Sequence, residues 1–139
     1  VKYMIMMYGS QRDHDMLAGK DTGGVVWTQE DVAALHAFMA EWNQDLIESG
    51  EFVDAQGMTA PVHARRIRLR EGVPVVTDGP YAETQEVLAG YTTVECESFD
   101  RATQIAARLA ATPHPKGANL EHEWYVDVRP LAGAEEELD

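Results

Sequence analysis

Basic residues, cysteines and long apolar runs are all scarce in this chain. Eleven Lys and Arg stand against 24 Asp and Glu, a net charge of −13. Phosphate contacts need a basic surface, so nucleic-acid binding is not expected. A lone cysteine, Cys96, rules out an intrachain disulfide and a Cys-rich zinc module. No apolar run approaches the roughly 20 residues of a membrane span, and no signal-peptide pattern opens the chain. A reducing, cytoplasmic setting without membrane contact is the expectation. Walker and Rossmann glycine patterns are missing, as is His-Glu-x-x-His, so no nucleotide cofactor is implied; a metal held by residues distant in sequence is left open. What is present suits one soluble domain: 139 residues, 45% of them hydrophobic, enough for a core of its own.

Tyr3 to Tyr8 is a short apolar run ending at Gly9-Ser10, the pattern of a strand covered on both faces. Residues 11–26 hold three glycines and no clear period, which predicts a long loop with at most a short helical turn. Thr28 then caps a helix stopped by Gly50, with Val32, Leu35, Phe38, Met39, Trp42 and Leu46 forming its apolar stripe. Phe52 to Met58 reads as a strand. Ala64–Arg70 and Val73–Thr77 form a hairpin around Glu71-Gly72, with Ile67 and Leu69 on one face and Arg66, Arg68 and Arg70 on the other. Leu88 to Cys96 is the next strand, with Leu88, Thr92 and Val94 on one side and Tyr91, Thr93 and Glu95 on the other. A helix capped by Ser98 follows. The last strand is expected over Glu121–Arg129, and residues 132–139 form an acidic tail beyond a domain of residues 1–131.

That order contains two split strand–helix–strand units separated by a hairpin, which predicts a ferredoxin-like α+β sheet, βαββαβ with an inserted β-hairpin. Right-handed crossovers place both helices on one face. The apolar first strand then lacks a cover on its other face, and a second copy of the chain meets the need, giving a homodimer with sheets face to face. The expected pocket lies between sheet and partner, lined by Tyr91, Thr93 and Glu95 and by Glu123, Tyr125, Asp127 and Arg129.

The run Asp78-Gly79-Pro80-Tyr81-Ala82-Glu83-Thr84-Gln85-Glu86 resembles the signature of the DGPF family (DGPFAETKE) within the YCII-related proteins, with Tyr81 for Phe and Gln85 for Lys. Lys2-Tyr3-Met4, Tyr8-Gly9 and Asp127-Val128-Arg129-Pro130-Leu131 resemble the ends of that family, Asp127 standing where Glu is usual. The resemblance implies a dimeric α+β barrel and no general activity. It brings in relatives with a His–Asp dehydrochlorinase-type site, and members that sit beside extracytoplasmic-function sigma factors.

Among candidate site residues, Asp78 is either an Asx-type turn residue or a carboxylate that orients a histidine. Glu83 and Glu86 are either solvated or pocket acids. His114, in the loop before the last strand, is the preferred acid–base group, with Asp78 fixing its tautomer and Tyr8 or Arg129 stabilising charge on the substrate. His14 sits where a lid would close on a ligand. His36 and His63 read as surface residues, and His122 reads as an interior histidine. Tyr91, Tyr125, Asp127 and Arg129 complete the expected substrate-binding set; Asp127 and Arg129 also fit an intersubunit ion pair. Cys96, flanked by Glu95 and Glu97, reads as a packing residue. Arg65, Arg66, Arg68 and Arg70 suit an intersubunit contact first and an anion site second. Two functions follow: a homodimer with a polar cleft that binds a small organic molecule, with cofactor-independent acid–base catalysis as its chemistry, or a non-catalytic ligand-sensing or partner-binding protein tied to sigma-factor-type transcriptional regulation.

Overall fold

The computed structural model describes residues 1–20, 26–79, 82, 85–115 and 124–133. Strand β1 (Lys2–Gly9) is followed by helices α1 (Gln11–Leu17) and α2 (Gln29–Ser49), then β2 (Phe52–Gly57). A hairpin of β3 (Arg65–Arg70) and β4 (Val73–Asp78) precedes β5 (Val87–Glu95), α3 (Phe99–Ala107) and β6 (Asp127–Pro130). Four strands form one antiparallel sheet in the order β2-β5-β1-β6, and β3-β4 make a separate two-stranded sheet. This is the ferredoxin-like α+β arrangement with an inserted hairpin.

Local chemistry sets the element ends. The Thr28 hydroxyl accepts from the Asp31 backbone N–H at 3.1 Å and the Asp31 carboxylate accepts from Thr28 N–H at 2.9 Å, so two free donors of α2 are satisfied at once. Gly50, at φ 78°, ends the helix in a conformation that glycine adopts without a Cβ clash. Glu71 and Gly72 both have positive φ, the geometry of a tight hairpin turn.

The core occupies one face and one end of the sheet. Tyr3, Ile5 and Val94 from the strands meet Trp42 and Leu46 of α2 and Ala102, Ile105, Ala106 and Leu109 from α3 and the 3-10 turn after it, all buried. The Trp42 indole N–H donates to the Ile105 carbonyl at 3.0 Å, tying the two helices over the same sheet face. That single side for both helices agrees with the handedness argument.

Two expectations need correction. Residues 11–17 are helix rather than loop. The cause is a second capping box, in which Ser10 Oγ accepts from Asp13 N–H and the Asp13 carboxylate accepts from Ser10 N–H. The last strand is shorter than Glu121–Arg129. Only Asp127–Pro130 pairs with β1, while Trp124 to Val126 run outside the ladder. Residues 121–123, with His122 and Glu123, lie outside the described residues, as do Pro80, Tyr81, Glu83 and Thr84 of the signature run and residues 134–139 of the tail.

Candidate functional site

Away from the core end, the sheet floor is stripped of side chains. Gly9, Gly57 and Gly90 stand together with Ala55 and Ala89 on the three neighbouring strands. Gly90 allows close approach: a Cβ there would lie 2.9 Å from the Gln56 carbonyl oxygen. Above this floor α2 offers Leu35, His36, Met39 and Asn43, and α1 supplies Asp13, His14 and Met16. Trp27, His114 and Trp124 close the far wall. The result is a cleft of about 1060 Å³ within one chain. The floor glycines leave this part of α2 nothing to pack on, which opens the cleft within one chain; the pocket expected against a partner lies on the opposite, open face of the sheet.

Three histidines line it: His14, His36 and His114. His14 is the best oriented. Its Nδ1 lies 3.1 Å from the Ser10 carbonyl oxygen. A carbonyl only accepts, so Nδ1 carries the proton in the neutral ring and Nε2 keeps its lone pair for use as a base. His114 meets the Trp27 ring edge-on, with centroids 6.5 Å apart. Sequence reasoning ranked His14 below His114 because the capping turn that aims it was read as loop.

The expected pairing of Asp78 with His114 is not formed. Asp78 faces Arg65 Nε at 3.3 Å at the base of the hairpin, its side chain 83% exposed, and it does not line the cleft. Ion pairing with its cross-strand neighbour takes the place of histidine orientation. Arg129 is exposed opposite Met4 and likewise does not line the cleft, so it is not placed to bind a substrate there. Glu83 falls outside the described residues.

The remaining candidates do come together. Strand alternation puts Tyr91 and Asp127 with Met6 on the sheet face opposite the core, and beyond the register shift at Met7/Tyr8 the Tyr8 hydroxyl reaches Asp127. Tyr8 donates to Asp127 Oδ2 at 2.8 Å, Tyr125 to Glu86 Oε2 at 2.6 Å, and Tyr91 to Asp54 Oδ2 at 3.2 Å. The Tyr8 and Tyr125 rings stack with centroids 5.2 Å apart. Tyr8, Tyr91, Tyr125 and Glu86 also border the cleft, so the network forms its rim. Each carboxylate accepts the phenolic proton and holds it in place. Tyr8 is raised above its ordinary pKa by the Asp127 bond, then by burial and the Asp127 charge. Tyr91 is raised by Asp54, and Tyr125 is pushed up to about 12, chiefly by Glu86. These phenols stay protonated at neutral pH and act as hydrogen-bond donors, not as bases.

The Cys96 thiol is half-buried and held above its ordinary pKa. Burial raises its thiol pKa most, with the Glu51 charge adding to it, and Sγ donates to the Ser98 carbonyl. No cluster of three or more His, Cys, Asp or Glu able to hold a metal ion occurs among the described residues. No helix among them is long and apolar enough to cross a membrane.

Comparison with known proteins agrees with the fold. An uncharacterised protein of Rhizobium meliloti (strain 1021) is 28% identical over 106 residues, spanning 76% of this chain and 80% of its own length. The family model described as the YCII-related domain matches residues 1–118, from the first strand past the cleft-lining His114, and the chain therefore belongs to the YCII-related family.

Proposed function

We propose that the cleft between α1, α2 and the glycine floor binds a small, largely apolar organic molecule and transfers a proton on it without a cofactor. The observation that carries this reading is the meeting of His14, His36 and His114 in one cleft walled by Trp27 and Trp124. Apolar walls with a few converging polar groups are the usual make-up of a small-molecule site. His14 Nε2 is the base, its tautomer set by Ser10, and His114 is the acid on the opposite wall. Tyr8 and Tyr125, their protons held by Asp127 and Glu86, present phenolic oxygens as fixed acceptors at the rim. The working unit is a homodimer in the cytoplasm.

Screening phenolic and lactone compounds for turnover tests the reading, with ligand affinity followed through Trp27 and Trp124 fluorescence. His14→Ala and His114→Ala should each lower turnover about 10²- to 10⁴-fold, the usual worth of a positioned acid or base, while affinity changes only a few-fold. Turnover unaffected by both substitutions overturns the proton-transfer role.

A second reading rests on the rim. Three phenols each tied to a carboxylate, with the hydroxyl protons committed, suit a ligand sensor of the kind expected beside sigma factors. That reading requires fluorescence quenching by ligand with no turnover in any assay.

A further inference from the structure

The hairpin β3-β4 stands apart from the rest of the fold. Among the described residues its two strands pair only with each other, and every residue from Ile67 to Asp78 is exposed. The cross-strand register sorts its side chains into two unlike faces. Ile67 lies opposite Val76 and Leu69 opposite Pro74, giving one face that is apolar beyond the Arg65–Asp78 ion pair at its base. Arg66, Arg68 and Arg70 lie opposite Thr77, Val75 and Val73 on the other.

Such an apolar face is costly in water. Ile67 is 67% exposed, Leu69 74% and Val76 56%. A two-stranded hairpin is marginally stable by itself, and contiguous exposed apolar patches of this kind mark interaction surfaces. Strand addition is an unsuitable way to cover it. Pro74 has no N–H to offer at one edge, and β3 carries arginine at four of its six positions, both devices that block edge pairing. The face, not the edge, is what the hairpin presents.

Charge identifies the occupant. Four of the chain's eleven basic residues are in β3, while the whole molecule carries −13. Another copy of this chain therefore offers an acidic exterior to a basic ribbon. Adjacent strands are only about 5 Å apart, so arginines on the far face reach the margin of any contact made by the apolar one. A cavity of about 420 Å³ lies among Arg66, Arg68, Arg70 and Thr77, with room for acidic side chains to enter.

We infer that the β3-β4 hairpin is a docking arm for a second copy of this chain, its apolar face seated in the contact and Arg68 and Arg70 meeting the partner's carboxylates. This rests on the homodimer proposed above and assigns to it a surface distinct from the open sheet face.

Sedimentation equilibrium of the full chain at micromolar concentration, with and without added salt, tests it. Wild type should sediment at twice 15.4 kDa. Ile67→Asp with Leu69→Asp should weaken the dimer at least about 30-fold, as for removal of an interface hot spot. Arg68→Glu with Arg70→Glu should weaken it less and abolish its salt dependence. Backbone amides of residues 66–77 should also gain hydrogen-exchange protection as wild-type concentration rises, a readout independent of any variant's folding. A dimer unchanged in the Asp pair, with no protection in the hairpin, overturns the inference and leaves the homodimer to another face. A wild-type monomer overturns both, and points to a different occupant.

Discussion

At the residue scale, the rim tyrosines carry the most specific chemistry. Sharing of one sheet face by Tyr91 and Asp127 followed from strand alternation, and the structure agrees. Their acceptors Glu86 and Asp54 were not legible. Which carboxylate meets which phenol depends on register, and the register shifts at Met7/Tyr8 and again at Phe52/Asp54. The Tyr125 hydroxyl bound to Glu86 gives a direct test. Ultraviolet titration should find one phenol ionising at about 12, and Glu86→Gln should return it toward the ordinary value of 10.0. The sign for stability follows from linkage. A folded-state pKa above the unfolded one stabilises the fold in full below pH 10, and that contribution is lost as pH rises through about 12.

At the element scale, capping decided what periodicity missed. Helix α1 has seven residues and no buried side chain, so no apolar stripe announced it. Its start rests on Ser10 and Asp13 alone, and Asp is an unusual third member of a capping box. Helix α2 was legible at both ends because Thr28, Asp31 and Gly50 add to a stripe that reaches the core at Trp42 and Leu46. The floor strands make a second prediction. Gly90→Ala places a methyl group 2.9 Å from the Gln56 carbonyl, and backbone cannot swing aside as a flexible side chain does. β2 must shift, at a cost of about 1–3 kcal/mol, measurable by urea denaturation. Gly57→Ala, where a Cβ meets nothing within 4 Å, is the matched control and should cost less.

At the scale of the whole molecule, the two strand–helix–strand halves are joined by more than the sheet. Glu51, just before β2, receives both Nε and Nη2 of Arg101 on α3, at 2.9 and 2.8 Å, with its side chain 14% exposed. The guanidinium holds the Glu51 carboxyl below its usual range. That stabilisation is present above the unfolded value of 4.5 and is lost as pH falls through the lower folded value. Glu51→Gln should cost about 1 kcal/mol at neutral pH and flatten the acid limb of the stability curve, checked by melts from neutral to acidic pH. The order of the four sheet strands and the two helices that cover them was readable, since element order and right-handed crossovers leave few alternatives. The position of the cleft was not, because a cavity is set by what glycine fails to fill, and a missing side chain leaves no periodic mark.

The off-centre core has a consequence for how this molecule tolerates change. Trp42, Leu46 and Ile105 secure the chain at one extremity, while Leu35 and His36 overhang the chamber at the other. Substitutions at Leu35 and His36 should therefore reshape the cleft while leaving the melting temperature close to that of the wild type. The shape of the chamber can thus drift while the packed end of the molecule stays as it is.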